Sequence, residues 1–479
     1  MLILIRQKLA KSLFAPALIT WMIGSLLAQT VVAGQILVDK GTEGVKPLVL
    51  AAPNGVPVVN IATPGSNGVS NNQYTQFDVN NAGVILNNSK NNVNTQLSGY
   101  IAGNNQLGRK PARIILNQVN GTNPSQLNGY LEVAGQQAQV IIANQNGITC
   151  DGCGFINTTV ATLTSGKVNT NGDGISNTLV QQGQVGIVGS GLDASTVSEL
   201  NIQGRHITID APIYAQALNI IAGTNQISAD NQAALQTDNI PTTGSVSIDT
   251  KALGGLYANK IKLVSTEAGL GVNVVGTVIA QQGQFTINSQ GQLGVSGHVQ
   301  ADQDISISAH EGVAQEFGSK IQSQQDVSIA SQQAITLAGE LTSQGLTLVN
   351  SQSLAINNQA DISSQGNVTL TIDQLAALNG TVASQASILA TANDMAMGGN
   401  WSAMEDLTLT ATNTLTAGQH QWLAGQDVTL KADDISLQDG HLESGKVLQL
   451  QADTRTDLIN QTLLGPSVIM QGSAGGRTA

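Results

Sequence analysis

Charged residues are scarce in this chain, at 10% of 479 residues, and aromatic residues make up only 3%. So few aromatic side chains argue against a large globular α/β core. Frequent short runs of Val, Ile, Leu and Ala argue equally against a disordered chain. The net charge is −12, with 19 Lys and Arg against 31 Asp and Glu. Because phosphate contact needs a basic surface, we expect no nucleic-acid partner.

The sequence also lacks recognisable catalytic and metal-binding patterns. No Gly-x-Ser-x-Gly elbow or phosphate loop is present. The run Asn169, Asn171, Asp173 and Gly174 superficially resembles a calcium loop, but its twelfth position is Val180 instead of Glu. We therefore predict no catalytic residue, no metal and no cofactor. Scattered histidines without a His-Glu-x-x-His pattern are expected to be exposed or turn residues, namely His206, His298, His310, His420 and His441.

The N-terminus has the pattern of a secretory signal peptide. Basic residues precede an apolar run from Leu13 to Ala28, and Val31-Val32-Ala33 offers small residues at a cleavage site. We therefore predict a signal peptide over residues 1–33, with Gly34 as the first mature residue. A membrane anchor is the alternative, but the run is short for a span and contains a proline and a glycine.

Short strand-like segments with apolar residues at alternate positions recur every 19–22 residues in the C-terminal half. A four-residue strand cannot bury its apolar face alone, whereas stacked coils can bury a continuous column. The pattern therefore favours an all-β parallel β-helix. A leucine-rich repeat and a β-sandwich are the alternatives, and the Leu-rich consensus of the former is not visible. The segments begin at Ile305, Val327, Leu346, Val368, Ile388, Leu407, Val428 and Val447.

Four blocks between residues 34 and 280 carry a family resemblance. They occur in order at Val59 to Ser89, Leu127 to Asn144, Ala143 to Thr158 and Leu253 to Val272. The third block contains the only two cysteines, in a Cys-x-x-Cys loop. Together the blocks resemble the secretion domain of two-partner-secretion exoproteins. These are filamentous-haemagglutinin-like adhesins, haemolysins and contact-dependent growth-inhibition proteins of Gram-negative bacteria.

The resemblance implies a right-handed parallel β-helix capped by an N-terminal sheet. It divides the chain into a signal peptide (1–33), a secretion domain (34–280) and a β-helical repeat stalk (281–479). It implies recognition by the periplasmic domains of an outer-membrane β-barrel transporter. Export through the periplasm would then lead to the cell surface or the medium, where a host or neighbouring-cell surface is a further expected partner.

This family membership would make the chain the stalk of an adhesin, a haemolysin or a contact-dependent toxin, and not an enzyme. The alternative is a polysaccharide-acting enzyme, because parallel β-helices also host such activities. Those enzymes need clustered acidic and basic side chains on one face. The repeats of this chain carry mainly Ser, Thr, Asn and Gln.

Two motifs of the family are matched without their proline. The Asn-Pro-Asn-Leu motif aligns with Asn104-Asn105-Gln106-Leu107, and the Asn-Pro-Asn-Gly-Ile motif aligns with Asn144-Gln145-Asn146-Gly147-Ile148. The resemblance implies that both segments are recognised by the transporter. Proline presets φ for a turn, but Asn and Gly also favour turns, so we expect both turns to form.

Cys150 and Cys153 have three possible roles: metal binding, redox exchange or a disulfide. A zinc site needs about four ligands, and neither a second cysteine pair nor a nearby histidine is present. A thioredoxin-like role needs a helix N-terminus, whereas this context predicts strand and turn. A local disulfide formed in the oxidising periplasm is the favoured interpretation. The resemblance implies that it shapes a recognised turn.

Overall fold

Alternating apolar and small polar residues place most of the described chain in β-strands. The structure is a computed structural model that describes residues 35–108, 110–231, 234–237, 246–472 and 477–478. Within these ranges there is no helix, and therefore none long and apolar enough to cross a membrane. The predicted signal peptide, residues 1–33, lies outside the described residues.

Each coil of the chain contributes three strands that pair in parallel with their equivalents in the next coil. Ile305–Ala309, Val313–Gln315 and Lys320–Ser323 form one such coil, and Val327–Ser331 then pairs in parallel with Ile305–Ala309. Three parallel sheets therefore run along the axis, and their inward side chains share one core. The prediction of an all-β parallel β-helix is confirmed, and the sandwich and leucine-rich alternatives are wrong.

The first sheet runs the length of the helix. Its strands are Val69–Phe77, Ile114–Val119, Ala138–Asn144, Thr158–Thr164, Glu199–Gly204, Ala217–Ala222, Lys260–Ser265, Phe285–Ser289, Ile305–Ala309, Val327–Ser331, Thr347–Ser351, Val368–Ile372 and Ser467–Gly472.

The second sheet begins one coil later along the chain, directly after Ile114–Val119. Its separate strands are Ser125–Leu127, His206–Ile209, Val246–Thr250, Gly271–Val274, Leu293–Val295, Val313–Gln315, Ala334–Leu337, Ser353–Ile356, Leu375–Leu378 and Arg477–Thr478.

The third sheet closes each coil. Its separate strands are Pro57–Asn60, Val84–Asn88, Tyr130–Gly135, Pro212–Ala215, Gly255–Ala258, Thr277–Ala280, His298–Ala301, Lys320–Ser323, Glu340–Ser343, Asp361–Ser364 and Thr381–Ser384.

Some strands bend around corners and belong to more than one sheet. Two of them serve the second and third sheets, Ile148–Ile156 and Gln184–Ala194. Four more serve all three sheets, namely Ile388–Ala403, Leu407–Ala424, Val428–Ser444 and Val447–Leu464.

The N-terminal end of the helix is covered by antiparallel strands. Ile36–Val38 pairs antiparallel with Val69–Phe77, and Leu48–Ala51 pairs antiparallel with Pro57–Asn60. These strands shield the first coil, whose open edge would otherwise favour edge-to-edge association. The expected capping sheet is therefore present. Further antiparallel strands lie outside the coils, namely Val93–Thr95, Gly99–Ile101, Lys167–Asn171, Gly174–Val180, Asn225–Ser228 and Ala234–Gln236.

One repeat has the opposite phase to the one that its apolar residues predict. Leu346 and Leu348 were expected to face inward, but they are 38% and 36% exposed, whereas Thr347 is fully buried. The register from Val327 continues to Thr347, one residue later than predicted. The hydroxyls of Thr347 and Ser343 lie 2.8 Å apart, so a polar inward residue is satisfied there. Backbone register outweighs side-chain polarity at this position.

The described residues from 35 onward belong to one compact unit, in which parallel pairing continues without a break around residue 280. Lys260–Ser265 pairs with Phe285–Ser289, which pairs in turn with Ile305–Ala309. The division into residues 34–280 and 281–479 therefore stays a prediction.

Candidate recognition turns and the cysteine corner

The first motif, residues 104–107, forms a turn between the third sheet and the first sheet. Asn104 is buried, and its side-chain amide donates to the carbonyl oxygens of Ile61 and Asn87 at 2.9 and 3.0 Å. Its Oδ1 accepts the backbone N–H of Gln106 at 2.9 Å. The backbone N–H of Leu107 donates to the Asn104 carbonyl, and the Leu107 side chain enters the core. Asn104 thus organises the turn from inside.

The second motif, residues 144–148, connects the first sheet to the second sheet. Asn144 is fully buried, and its amide donates to Ser125 Oγ at 3.0 Å. Its Oδ1 accepts the backbone N–H of Asn146 at 3.0 Å, and its carbonyl accepts that of Gly147 at 3.0 Å. Gly147 has φ of +115°, a conformation that requires glycine. Ile148, whose side chain is buried, is the first residue of the next strand.

The two turns share one construction. In each, a buried Asn side chain accepts the N–H two residues later, which is an Asx turn, and its backbone carbonyl accepts the N–H three residues later. The residue that replaces the family's proline, Asn105 or Gln145, stands at the exposed second position of the turn. Proline would suit that position without adding a hydrogen bond. The buried Asn residues hold both turns in its absence.

The two cysteines lie where Ile148–Ile156 passes from the second sheet to the third. Cys150 aligns with Ile187 of the next coil, and Cys153 aligns with Leu192. Both side chains are buried, and a disulfide joins their Sγ atoms at 2.06 Å. The cystine therefore occupies core positions that Ile and Leu fill one coil later.

The outer side of this corner is polar and locally irregular. The register shifts between Asp151 and Cys153, because the next coil has three residues, Gly189, Ser190 and Gly191, where this coil has only Gly152. The Asp151 carboxylate accepts the Ser190 N–H at 2.8 Å and joins the two corners. Solvent therefore meets Asp151 and Gly152, while the sulfur atoms remain inside.

Burial divides the eleven candidate residues into two groups. The first Asn of each motif and both cysteines are buried, and the folded surface presents only the residues at the apices of the turns. Buried residues are Asn104, Leu107, Asn144, Gly147, Ile148, Cys150 and Cys153. Exposed or partly exposed residues are Asn105, Gln106, Gln145 and Asn146.

Two buried carboxylates were not predicted as site residues. Glu132 is 4% exposed and accepts the N–H groups of Gln96 and Leu97 at 2.7 and 2.8 Å. These bonds connect the outer hairpin, formed by Val93–Thr95 and Gly99–Ile101, to the β-helix. Glu267 lies 3.3 Å from Arg205 and accepts the N–H of Thr224 at 2.6 Å. The available signal for Glu132 was a single charge within an apolar strand.

The prediction that the histidines are exposed or turn residues is wrong for His420. The residue is 6% exposed, and its ring packs at a tilt against the ring of Trp422, with centroids 4.3 Å apart. Burial lowers the pKa of His420, so the imidazole is neutral at physiological pH. Within the described ranges, no group of three His, Cys, Asp or Glu side chains is arranged to hold a metal ion.

Comparison with known families assigns the domain. A family model described as the TPS secretion domain matches residues 34–295, which is more than half of the chain. The chain is 43% identical over 275 residues to Toxin CdiA of Yersinia pestis, which is 56% of this chain and 8% of that protein. It is 38% identical over 396 residues to tRNA nuclease CdiA of Yersinia mollaretii, which is 78% of this chain and 13% of that protein.

The chain therefore spans about a tenth of the length of these relatives. Among solved structures, the filamentous hemagglutinin secretion domain is 29% identical, with a TM-score of 0.47, over 64% of this chain and 99% of that one. On the match of residues 34–295, the chain belongs to the two-partner-secretion exoproteins that carry a TPS secretion domain.

Proposed function

We propose that residues 34–295 direct export of the chain through an outer-membrane β-barrel transporter. The periplasmic domains of that transporter recognise the chain after signal-peptide-dependent passage through the inner membrane. The exported chain then reaches the cell surface or the medium. The family match over residues 34–295 carries this proposal.

The burial of the two motifs favours recognition before folding. Asn104, Asn144 and Ile148 are at most 1% exposed, so a partner cannot read them on the folded helix. An extended chain presents all of them. A solenoid can also nucleate locally and add coils one at a time, which suits a chain that emerges unfolded and folds outside.

A secretion assay tests the proposal directly. The full chain is expressed with and without its cognate barrel, and its amounts in the medium, at the surface and in the periplasm are compared. We expect appearance outside the cell only when the barrel is present. Periplasmic retention in both strains would refute a working secretion domain.

Paired variants distinguish recognition of the extended chain by the transporter from recognition of the folded surface. Asn104→Ala and Asn144→Ala remove buried side chains, while Asn105→Ala and Gln145→Ala remove exposed apices. Recognition before folding predicts that Asn104→Ala and Asn144→Ala lower export by more than their loss of folded stability can explain. Defects confined to the apex variants would instead indicate that the folded surface is read.

We also propose that the chain is the export and stalk segment of a contact-dependent growth-inhibition toxin, with a neighbouring-cell surface as partner. The similarity to proteins named as CdiA toxins supports this choice over an adhesin or a haemolysin. The nuclease activity in one relative's name is not assigned to this segment. An epitope tag placed behind Ala479 tests the stalk role: barrel-dependent labelling on intact cells is expected, and a tag confined to the periplasm would contradict it.

A further inference from the structure

A concave cleft lies beside the first recognition turn. It has a volume of about 700 Å³ and is bounded by the loop from Pro64 to Gly68 and by residues that follow the turn. The side chains that bear on its chemistry are Ser66, Asn67, Lys110, Arg113 and Gln136. This volume is in the range of small-molecule sites, which is roughly 300–1,000 Å³. The cleft is therefore larger than a lone ion needs.

The cleft carries positive charge in an acidic protein. Lys110 and Arg113 line it, none of the described residues along its wall carries a carboxylate, and the chain as a whole has a net charge of −12. Among the residues that the structure describes, neither of these cations forms an ion pair with a carboxylate. Their charges are consequently available to an anionic ligand.

The guanidinium of Arg113 is held in place at the cleft wall. Its Nη2 donates to the Asn67 carbonyl oxygen at 3.2 Å, which leaves its other N–H groups free to face a ligand. The side chain passes over Gly68, where an added Cβ would lie 3.3 Å from Arg113 Cβ. Gly68 has φ of +76°, so glycine both permits the loop and leaves room for the arginine.

We propose that this cleft binds a phosphorylated small molecule of sugar-phosphate size. Arg113 and Lys110 hold the phosphoryl oxygens, since a guanidinium matches their geometry with parallel hydrogen bonds. The amide of Gln136 and the hydroxyl of Ser66 face the hydroxyl groups of the ligand body. The Asn67 amide shapes the wall instead, because its Nδ2 donates to the Asn171 carbonyl at 2.7 Å and its Oδ1 accepts the Val69 N–H at 3.1 Å. The site belongs to the folded, exported domain and is independent of the transporter.

Calorimetric titration of the purified full chain tests the site with glucose 6-phosphate, glucose and inorganic phosphate. We expect glucose 6-phosphate to bind at least tenfold more tightly than glucose and several-fold more tightly than phosphate. Arg113→Gln and Lys110→Gln should each weaken it about tenfold. The matched control is Lys431→Gln, which removes an exposed cation elsewhere and should leave affinity unchanged.

Several outcomes would overturn the proposal. Equal affinity for glucose and its phosphate would exclude a phosphoryl site, and phosphate binding as tight as that of the ester would exclude a ligand body in the cleft. Equal weakening by Lys431→Gln would indicate nonspecific attraction. Because Arg113 also contacts Asn67, thermal midpoints of all variants must match before affinities are compared, and Lys110→Gln provides a variant without that contact.

A second arm identifies the source of the phosphoryl group. Phosphatidylcholine vesicles with and without phosphatidic acid are sedimented with the protein. Retention that requires phosphatidic acid and Arg113 assigns the site to a lipid headgroup. Binding of soluble glucose 6-phosphate without such retention assigns it to a free sugar phosphate. If the protein neither binds glucose 6-phosphate nor sediments with the vesicles, the site is refuted.

Discussion

The imidazole of His420 fills the space that a side chain at Gly440 would need. The two residues align in adjacent coils, and a Cβ built on Gly440 would lie 2.1 Å from Cε1 of His420. The same ring packs at a tilt against the ring of Trp422. A bulky polar ring is thus accommodated near the core because the next coil contributes glycine at that register.

Gly440→Ala should therefore destabilise the C-terminal coils. The new methyl group must displace the buried His420 ring, and such overpacking costs about 1–3 kcal/mol. Urea denaturation monitored by tryptophan fluorescence measures the change, because Trp422 is adjacent. Gly418→Ala is the matched control, since a Cβ at Gly418 would meet no atom within 4 Å. Equal effects of the two substitutions would argue against this packing.

Acid should weaken the same region through His420. Burial lowers the pKa of its imidazole below 6.5, so the unfolded chain takes up the proton more readily. Stability should fall as pH drops through about 6.5 and level off below the folded pKa. The neighbouring His441, itself 3.2 Å from Glu443, also disfavours a charged His420.

Denaturation midpoints between pH 7.5 and 5 measure this dependence. The slope should flatten in His420→Gln and persist in His441→Gln. An unchanged slope in His420→Gln would assign the acid sensitivity to other groups.

A charge at an inward position should break the column. Ile307 is 1% exposed, and Ile307→Asp would place a carboxylate without a partner among apolar side chains. We expect a loss of about 3–5 kcal/mol in the free energy of unfolding, as for other unpaired buried charges. Ser308→Asp, one residue later on the outer face, should change stability little. Equal thermal midpoints for both would contradict the inward assignment of Ile307.

Removing the Glu132 carboxylate should loosen the outer hairpin without unfolding the β-helix. In Glu132→Gln, one of the two N–H groups at Gln96 and Leu97 loses its acceptor, at a cost of about 1–3 kcal/mol. Amide hydrogen exchange should accelerate at these two residues. Glu405→Gln, at an exposed position, serves as the control. Unchanged protection at Gln96 and Leu97 would mean that the carboxylate does not anchor the hairpin.

The cysteine corner should matter more for export than for stability. Replacing Cys150 and Cys153 together by Ser removes a crosslink that closes a very short loop, which is worth about 2 kcal/mol in chain entropy. We expect barrel-dependent secretion to fall by a larger factor than this loss explains. Secreted yield and the denaturation midpoint are measured on the same variant. Full yield with a lowered midpoint would reduce the disulfide to a structural role.

Much of the fold could be predicted from local patterns. Alternating apolar residues at intervals of 19–22 indicated the coils, because a short strand needs a stacked neighbour to bury its face. The Asn-rich turns were also readable from composition. The inward position of Thr347 could not be predicted, because the apolar residues Leu346 and Leu348 on either side of it indicate the opposite phase. Its inward position depends on pairing with Val327 one coil earlier.

The candidate site was predictable only as a set of residues. The sequence indicated Asn104, Asn144 and the two cysteines through a resemblance, but burial could not be inferred from it. An Asn looks like a surface turn residue until carbonyls from other segments, such as Ile61 and Asn87 around Asn104, surround it. The Lys110 and Arg113 cleft was missed because its opposite wall comes from residues 64–68.

The sequence by itself determined the repeating strand, the turns between strands and the family to which the chain belongs. These depend on local periodicity and on motifs contained in short segments. The tertiary structure alone decided which side chains face the core, where His420 meets Gly440, and which charges share a cleft. Such relationships join residues of different coils, and only the register between coils brings them together.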